Sequence, residues 1–269
     1  MALMYHIKAA PGDIAPYVLL PGDPKRVPLV AALWDEAHLV GDNREHCTYT
    51  GTYKGMPITC TSTGMGCPST AIAMEELARC GATTFLRMGT CGSMQPYVKQ
   101  NDICVFDSAC RFEGTTKMYV PTEYPAVANH QMVEGIIQSL ETSGLPYHVG
   151  TSRCVDAIFT YRPEPETSFR NYHPHNWDSF LSDLAQANVI AGEMESSAVL
   201  VLSRIWGLRG AALCIAVGDL MQYYRSGEKC LFDKSLVYND STAARLNQVA
   251  CDAMLRIYQN DQQRNGQIK

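Results

Sequence analysis

Three short segments of the sequence carry an arginine that could bind an anion. In the first, Gly22 follows the apolar run Tyr17–Leu20, and Arg26 stands four residues later. A turn glycine lets the backbone approach an anion closely, and the guanidinium of Arg26 carries a planar fork of donors that suits phosphate oxygens. The same pattern is compatible with an ordinary turn and a solvated arginine, so this segment alone only suggests an anion site.

Arg87 is more informative, because it stands inside the apolar run 83–88, just before a glycine-rich turn. A charge in such a strand needs a buried partner or an opening into a site. Thr90 follows in the turn, and a hydroxyl next to a guanidinium suits an oxyanion. Arg44, in Asn43-Arg44-Glu45, is a third candidate, although by itself it resembles a surface charge.

Two carboxylates, Glu193 and Glu195, stand where an apolar helix is expected to begin. Residues two apart do not share one face of a helix. One interpretation is that both acids complement the dipole of that helix from its first turn. The functional alternative is that one of them accepts hydrogen bonds from two vicinal hydroxyls, as a ribose offers.

Alternating apolar runs and amphipathic stretches predict the elements that position these side chains. Strands are expected at 17–20, 57–62, 83–88, 102–107, 147–151 and 210–217, and helices at 26–33, 68–80, 128–143, 196–206 and 241–258. This order is typical of an α/β protein with a largely parallel sheet. Ligands of such sheets bind beyond the carboxyl ends of the strands, which singles out the turns at 21–26, 63–69 and 87–92.

Composition narrows the class of protein further. The chain has 269 residues, 46% of them apolar, and a formal net charge of −5, which argues against nucleic-acid binding. Eleven cysteines without a CxxC pair favour reduced, buried thiols over disulfides or zinc. The sequence lacks a secretory signal, a long apolar run, and the GxGxxG, Walker A, HExxH and GxSxG motifs. We therefore expect a cytoplasmic protein that binds neither membranes nor nucleic acid.

Together the segments resemble the nucleoside phosphorylase-I family, and within it the members that cleave uridine. They occur in family order and with family spacing over about residues 5–220. The matching segments are Pro21-Gly22-Asp23-Pro24-Lys25-Arg26-Val27, Asn43-Arg44-Glu45, Ser62-Thr63-Gly64-Met65-Gly66-Cys67-Pro68-Ser69, Ala73-Met74-Glu75-Glu76-Leu77, the run 84–96 (TFLRMGTCGSMQP), Tyr124-Pro125-Ala126-Val127 and Glu193-Met194-Glu195-Ser196.

The resemblance implies one α/β domain over residues 1–269, with a central mixed, partly barrel-like sheet flanked by helices. It also implies reversible phosphorolysis, in which a ribonucleoside and phosphate give a free base and ribose 1-phosphate, as in nucleoside salvage. Family members are dimers or hexamers, and a shared site makes a dimer the minimum. The implied partners are a nucleoside, phosphate and further copies of the chain, with no cofactor other than a monovalent cation.

The resemblance also assigns residues, each by the segment in which it stands. The implied phosphate ligands are Gly22, Arg26, Arg87, Thr90 and, from the neighbouring subunit, Arg44. The implied ribose ligands are Met194, Glu195 and, from the neighbour, His6. Glu193 matches an acid near the base and the ribose. An interface potassium ion would use Glu45, Met65 and Ser69.

The base-binding segment departs from the pattern of the uridine enzymes. Those enzymes carry Phe-x-x-x-Gln-x-Arg, but counting from Phe159 this chain has Pro163 and Pro165 instead of the Gln and Arg. Arg162 is nearby but out of register, and it is the candidate cation for uracil. Asp219 resembles the acid with which purine-cleaving relatives protonate N7, unless it only caps the turn.

The sequence therefore favours uridine, with a purine or a broader range of nucleosides as the alternative. The irregular stretch Arg162–Trp177 is either a flap over the site or a surface excursion. Two other classes stay open. A nucleosidase would use water and would not need three arginines, and a nucleoside-binding protein without catalysis would not need Arg87 and Glu195.

Overall fold

The computed structural model describes residues 3–159, 167–172, 174, 179–228 and 240–267. The strands in these ranges are β1 (Tyr17–Leu20), β2 (Glu36–Asn43), β3 (His46–Tyr53), β4 (Met56–Thr61), β5 (Thr84–Ser93), β6 (Ile103–Phe112), β7 (Ala126–Val127), β8 (Tyr147–Val155), β9 (Ala191–Glu193) and β10 (Arg209–Asp219). The helices are α1 (Arg26–Ala31), α2 (Cys67–Arg79), α3 (His130–Ser143), α4 (Phe180–Gln186), α5 (Ser196–Ile205), α6 (Gln222–Ser226) and α7 (Asp240–Gln267).

These strands form one mixed sheet, part of which closes into a barrel. The hydrogen-bonded order β10-β6-β8-β9-β5 returns to β10, because β5 also pairs with β10. From β5 the sheet continues outward through β1, β4, β3 and β2. The mixed, partly barrel-like sheet flanked by helices that the resemblance implies is thus confirmed. The largely parallel sheet predicted from the order of the elements is wrong, because half of the ten strand pairings in the described residues are antiparallel, among them β10 with β6 and β5 with β9.

Strand β5 holds the two parts of the sheet together. Along one edge it pairs with β10 over its whole length. Along its other edge, β1 covers residues 84–87 and β9 covers residues 92 and 93. The side chains near the middle of β5 therefore lie where the barrel and the outer sheet meet, and Arg87 is one of them.

Apolar side chains cover both faces of the sheet. Helices α1, α3 and α7 pack their buried residues against one part of the core, and α2 packs against the other. Helix α5 contributes to both parts, because nearly all of its side chains are buried.

Most of the predicted elements are confirmed, with differences at their ends. The strands β5, β6 and β8 are longer than predicted, since their last residues are small or polar and lack the apolar pattern. The hairpin of β2 and β3 was missed, because β2 is mostly exposed and β3 is rich in threonine and tyrosine rather than alternating. The short β7, β9, α4 and α6 were also missed.

Hydrogen bonds join two of the turns that the sequence singled out. The N–H of Thr63 donates to Pro21 O at 2.9 Å, and that of Gly64 donates to Gly22 O at 3.0 Å. Gly64 has a φ of +72°, which glycine adopts without strain. The turns after β1 and β4 are thus one structural unit.

Two further observations concern the class of protein. The ten cysteines that the structure describes are free thiols, and nine of them are buried. Within the described ranges, every helix is too short or too polar to cross a membrane.

The long helix α7 is fixed to the sheet by a polar cluster around Asp261. Its carboxylate accepts hydrogen bonds from Tyr17 at 2.8 Å and from both terminal nitrogens of Arg209 at 2.6 and 2.8 Å. Burial raises the pKa of Asp261, but Arg209 and Tyr17 lower it by more. Burial and Asp261 raise the pKa of Tyr17 to about 12.

We expect Asp261→Asn to lower the free energy of unfolding by about 1–2 kcal/mol at pH 7, because charge-assisted hydrogen bonds on β1 and β10 are lost. The pKa of Asp261 is lower in the folded chain. Its contribution is therefore present above the unfolded pKa, near 4, and disappears as the pH falls through the folded value. Denaturant unfolding at pH 7 and pH 3 measures both effects.

The matched control is Glu134→Gln on α3, which removes an exposed carboxylate that lies 3.5 Å from Arg264 of α7. It should change stability by less than about 0.5 kcal/mol. A loss in Asp261→Asn no larger than this control, or one that does not shrink at pH 3, would show that the cluster does not anchor the helix.

Candidate active site

Arg87 is buried in the middle of β5, with 4% of its surface exposed. It is directly paired with Leu20 of β1 and with Ala212 of β10. Its guanidinium lies over Gly89, where a Cβ atom would come within 2.6 Å of Nη2. Glycine at position 89 therefore leaves the space that the charged group occupies.

Two carboxylates bind the guanidinium of Arg87. Its Nε donates to Oε2 of Glu193 at 2.8 Å, and its Nη2 forms an ion pair with Oε2 of Glu195. Glu193 ends β9 and Glu195 is the N-cap of α5, so neither acid is in the first turn of the helix. The bend between these elements brings both acids to one arginine although they stand two residues apart.

Backbone groups hold both carboxylates in place. Oε2 of Glu193 accepts from the N–H groups of Glu195 and Ser196, each at 2.8 Å, and Oε1 accepts from the Ser196 hydroxyl at 2.5 Å. Oε1 of Glu195 accepts from the N–H of Gly66 at 2.6 Å, at the start of α2. The ion cluster thus joins β5, β9, α2 and α5.

The charges of this cluster shift one another's titration. Burial lowers the pKa of Arg87, but Glu195 and Glu193 raise it by more, so the guanidinium stays charged. Burial raises the pKa of Glu195; Glu193 adds to this effect and Arg87 opposes it. Glu195 therefore takes up a proton at a higher pH than an ordinary glutamate.

Arg26 begins α1 and is buried close to Arg87. Its Nη1 donates to Met88 O at 3.3 Å, and its Nη2 donates to Oδ1 of Asn247 at 3.0 Å. Burial is the main cause that lowers the pKa of Arg26, and the charge of Arg87 acts in the same direction. Within the described part of the chain, no carboxylate forms an ion pair with Arg26.

Arg26 and Arg87 each keep one nitrogen without a hydrogen-bond partner among the described residues, Nε of Arg26 and Nη1 of Arg87. Buried donors are normally satisfied, so these two atoms indicate a ligand with acceptor oxygens. Gly22 is in the turn before α1, and the half-buried Thr90 lies three residues after Arg87. An oxyanion is the ligand that this arrangement suits.

His6 and Arg44 lie together at the edge near the β2–β3 turn. Nδ1 of His6 is 2.7 Å from Oε1 of Glu76, and the side chain of Asn43 donates to His6 O at 2.7 Å. Arg44 is exposed on the two-residue turn, with a φ of +55°. Among the described residues, neither side chain contacts Arg87 or Glu195 by a hydrogen bond or ion pair.

The three residues named for a potassium ion are only partly brought together. Ser69 donates to Oε1 of Glu45 at 2.8 Å and to Thr63 O at 2.5 Å. Hydrogen bonds from its own backbone N–H and from Ser69 lower the pKa of Glu45. The side chain of Met65 is 87% exposed.

The residues named for base and ribose lie on several different elements, and one of them lies outside the described ranges. Met194 stands between the two glutamates, and its carbonyl accepts from Cys67 Sγ at 3.3 Å. Asp219 ends β10, accepts from the N–H of Met221 at 2.8 Å and forms an ion pair with Arg225. Phe159 is 62% exposed. Arg162 and most of the stretch to Trp177 lie outside the described residues.

Sequence reasoning missed three residues of this site. Gly89 makes room for Arg87, Gly66 binds Glu195, and Asn247 binds Arg26. The two glycines stand in the segments that carried the resemblance, so a search for close backbone approach could have found them. Asn247 has no local signal, because its partner is 221 residues away in the sequence.

Comparison with known proteins assigns the chain to a family. Residues 16–251 match the Phosphorylase superfamily, and the chain belongs to this family.

Its relatives include a uridine phosphorylase from Thermococcus kodakarensis, 43% identical over 84% of this chain and 82% of the relative. A guanosine phosphorylase from Halorubrum lacusprofundi is 37% identical over 84% of this chain and 88% of the relative. The crystal structure of uridine phosphorylase from Vibrio fischeri has a TM-score of 0.80 and 30% identity, covering 96% of this chain and 98% of that one.

We expect Gly89→Ala to weaken the binding of inorganic phosphate strongly. The new methyl group would come within 2.6 Å of Nη2 of Arg87, so the guanidinium would have to move from the position in which it can bind an anion. The rise in melting temperature with phosphate concentration measures the binding.

Gly114→Ala is the control, because its Cβ would meet its nearest neighbour at an ordinary 3.6 Å. If Gly89→Ala binds phosphate as well as Gly114→Ala does, Arg87 is not a phosphate ligand in the position described.

Proposed function

We propose that this protein catalyses the reversible phosphorolysis of uridine to uracil and ribose 1-phosphate, in nucleoside salvage. The observation that carries the proposal is the pair of buried arginines Arg26 and Arg87. Each has one nitrogen donor without a partner among the described residues, and Arg87 is bound by two carboxylates. Membership of the Phosphorylase superfamily and the similarity to uridine phosphorylases support it.

Phosphate is the ligand that these donors would bind. A buried cation without a carboxylate partner is unfavourable, so an anionic co-substrate would supply the missing counter-charge for Arg26. Gly22 would offer its backbone and Thr90 its hydroxyl, and Arg44 of a neighbouring subunit would complete the set. Three guanidinium groups would then fix the orientation of the nucleophile.

The ribose would lie above the phosphate, against Glu195. Both carboxylate oxygens of Glu195 already accept one hydrogen bond, and each can accept another. They would receive the 2′- and 3′-hydroxyls, with Met194 alongside and His6 of the neighbour at the 5′-hydroxyl. A riboside would therefore be bound better than a 2′-deoxyriboside, which lacks one of these donors.

The reaction breaks the bond from C1′ to the base and forms a bond from C1′ to a phosphate oxygen. Positive charge develops on the ribose as the base departs, and the phosphate held below C1′ is both nucleophile and counter-charge. The departing base takes up negative charge and then a proton. Fixed arginines favour this transition state because they need no reorganisation when the charge moves.

The base would lie near Glu193 and Phe159, with Arg162 as the cation for the uracil carbonyls. A purine is the second candidate, favoured by Asp219 at the end of β10 and by the relative that is a guanosine phosphorylase. The oxygens of Asp219 are engaged by Arg225 and the N–H of Met221. Asp219 would have to release these partners before it could protonate a purine N7, and this favours uracil as the base.

The proposed enzyme is a homo-oligomer, with a dimer as the minimum and a hexamer as the larger alternative. Arg44 is exposed, and its neighbour Asn43 is hydrogen-bonded to His6. This position supports the proposal that Arg44 and His6 bind substrate in the site of a neighbouring subunit. The proposal places the protein in the cytoplasm and includes no cofactor, apart from a potassium ion near Glu45, Met65 and Ser69 at the interface.

A panel of uridine, inosine, guanosine and adenosine, with and without phosphate, tests the proposal. We expect release of uracil that depends on phosphate and is faster than release of any purine. Asp219→Asn should leave the uridine reaction largely unchanged. Base release without phosphate would indicate a nucleosidase, and no release would indicate a binding protein. Faster inosine cleavage that is lost in Asp219→Asn would establish the purine alternative.

Arg87→Ala should lower kcat/KM for phosphorolysis by a factor of at least about 100, the size of effect seen when an electrostatic donor is lost from a transition state. Arg87→Lys should recover little, since an ammonium does not reproduce the fork of donors. Rates at limiting phosphate provide the measurement. Wild-type turnover by Arg87→Ala under those conditions would refute the assignment of the phosphate site.

A shared site predicts complementation between two inactive variants. Arg44→Ala and Glu195→Ala subunits, mixed and allowed to exchange, should recover activity, because some interfaces then contain one fully wild-type site. Mass spectrometry of the mixed oligomers confirms the exchange. Exchange without recovered activity would show that Arg44 and Glu195 do not act across an interface.

A further inference from the structure

Helix α7 places one buried side-chain amide against Arg26, one of the two arginines of the site. Asn247 is 2% exposed, and its Oδ1 accepts the hydrogen bond from Nη2 of Arg26 at 3.0 Å. Arg26 stands 221 residues earlier, at the other end of the chain. The contact therefore exists only once helix α7 has packed against the sheet.

Two neutral oxygens fix the plane of the Arg26 guanidinium. Met88 O accepts from Nη1 and Asn247 accepts from Nη2, so the two terminal nitrogens are held on different elements, β5 and α7. Nε keeps its donor without a partner in the described part of the protein. Because the guanidinium is planar, hydrogen bonds to its two terminal nitrogens also fix the direction in which Nε–H points.

The neutrality of Asn247 matters as much as its position. Arg87 is held by two carboxylates, whereas Arg26 is held by an amide and a backbone carbonyl. Asparagine satisfies the hydrogen bond without a negative charge. An aspartate of the same shape would give Arg26 a permanent counter-ion and would repel an incoming anion.

We propose that Asn247 is a positioning residue of the phosphate site, which orients Arg26 and leaves the charge of Arg26 available to phosphate. The inference rests on the proposed function, in which Arg26 binds the phosphate co-substrate. It adds helix α7 to the elements that build the site.

Asn247→Asp is the decisive variant, because it keeps the shape and adds a charge. We expect the KM for phosphate to rise by at least about tenfold, from repulsion and from competition for Arg26. The KM for uridine should stay within about twofold of wild type, and the melting temperature without phosphate should not fall. A residue with only a structural role would leave both KM values unchanged.

Asn260→Asp is the matched control, since it makes the same change on the same helix. Asn260 is half-buried and donates to Gln138 at 3.2 Å, away from the arginines. This variant should keep the wild-type KM for phosphate. Asn247→Ala provides a second measurement, because it removes the acceptor without adding a charge; it should also raise the KM for phosphate, by less than Asn247→Asp does.

Direct binding of inorganic phosphate separates this inference from the proposed function. Wild-type protein should show a rise in melting temperature with phosphate, and Asn247→Asp should show a much smaller one. Phosphate binding that depends on Asn247, without cleavage of any nucleoside, would support the inference while the proposed function fails. A wild-type response to phosphate in Asn247→Asp, or no response in the wild type, would overturn the inference.

Discussion

The interaction on which the site depends is the buried contact of Arg87 with Glu193 and Glu195. A guanidinium inside a sheet is stable only when acceptors surround it, and removal of one partner from such a cluster typically costs about 3–5 kcal/mol. The acceptors come from the end of β9 and from the start of α5, and a backbone group at the start of α2 binds Glu195. A single charged group is therefore in contact with carboxylates from two elements and depends on the position of a third.

The second buried arginine is accommodated differently. Within the described residues, Arg26 is hydrogen-bonded to neutral groups alone, Met88 O and Asn247. The two arginines and two glutamates together carry no net formal charge before substrate arrives. A phosphate dianion added to this balanced set would leave it negative. A third cation would offset part of this negative charge, which is a physical reason for Arg44 to be supplied by another subunit in the proposed enzyme.

A feature of this molecule can be predicted from the sequence when the residues that form it lie close together in the chain. Arg87 was identifiable because a charge within an apolar run is conspicuous, and β5 was identifiable from the same run. The sequence did not show that Glu193 and Glu195 are both partners of Arg87. Residues two apart do not share a face of a helix, but here one acid ends a strand and the other is the N-cap of the next helix, so both reach the same arginine. Closure of the barrel was implied only by family resemblance, since pairing of β5 with β10 joins residues more than 120 positions apart. The contact of Asn247 could not be predicted for the same reason, since its partner Arg26 is 221 residues away in the sequence.

The exposed strand β2 has a consequence for how the protein behaves in concentrated solution. It ends the outer part of the sheet and pairs only with β3 among the described strands, so its other edge offers backbone groups that could bind a strand of another chain. A bulge between Leu39 and Gly41 interrupts its regular ladder. Glu36 and Asp42 place negative charge along the same exposed strand. These features disfavour edge-to-edge aggregation at the open end of the sheet, even when copies of the protein are crowded together.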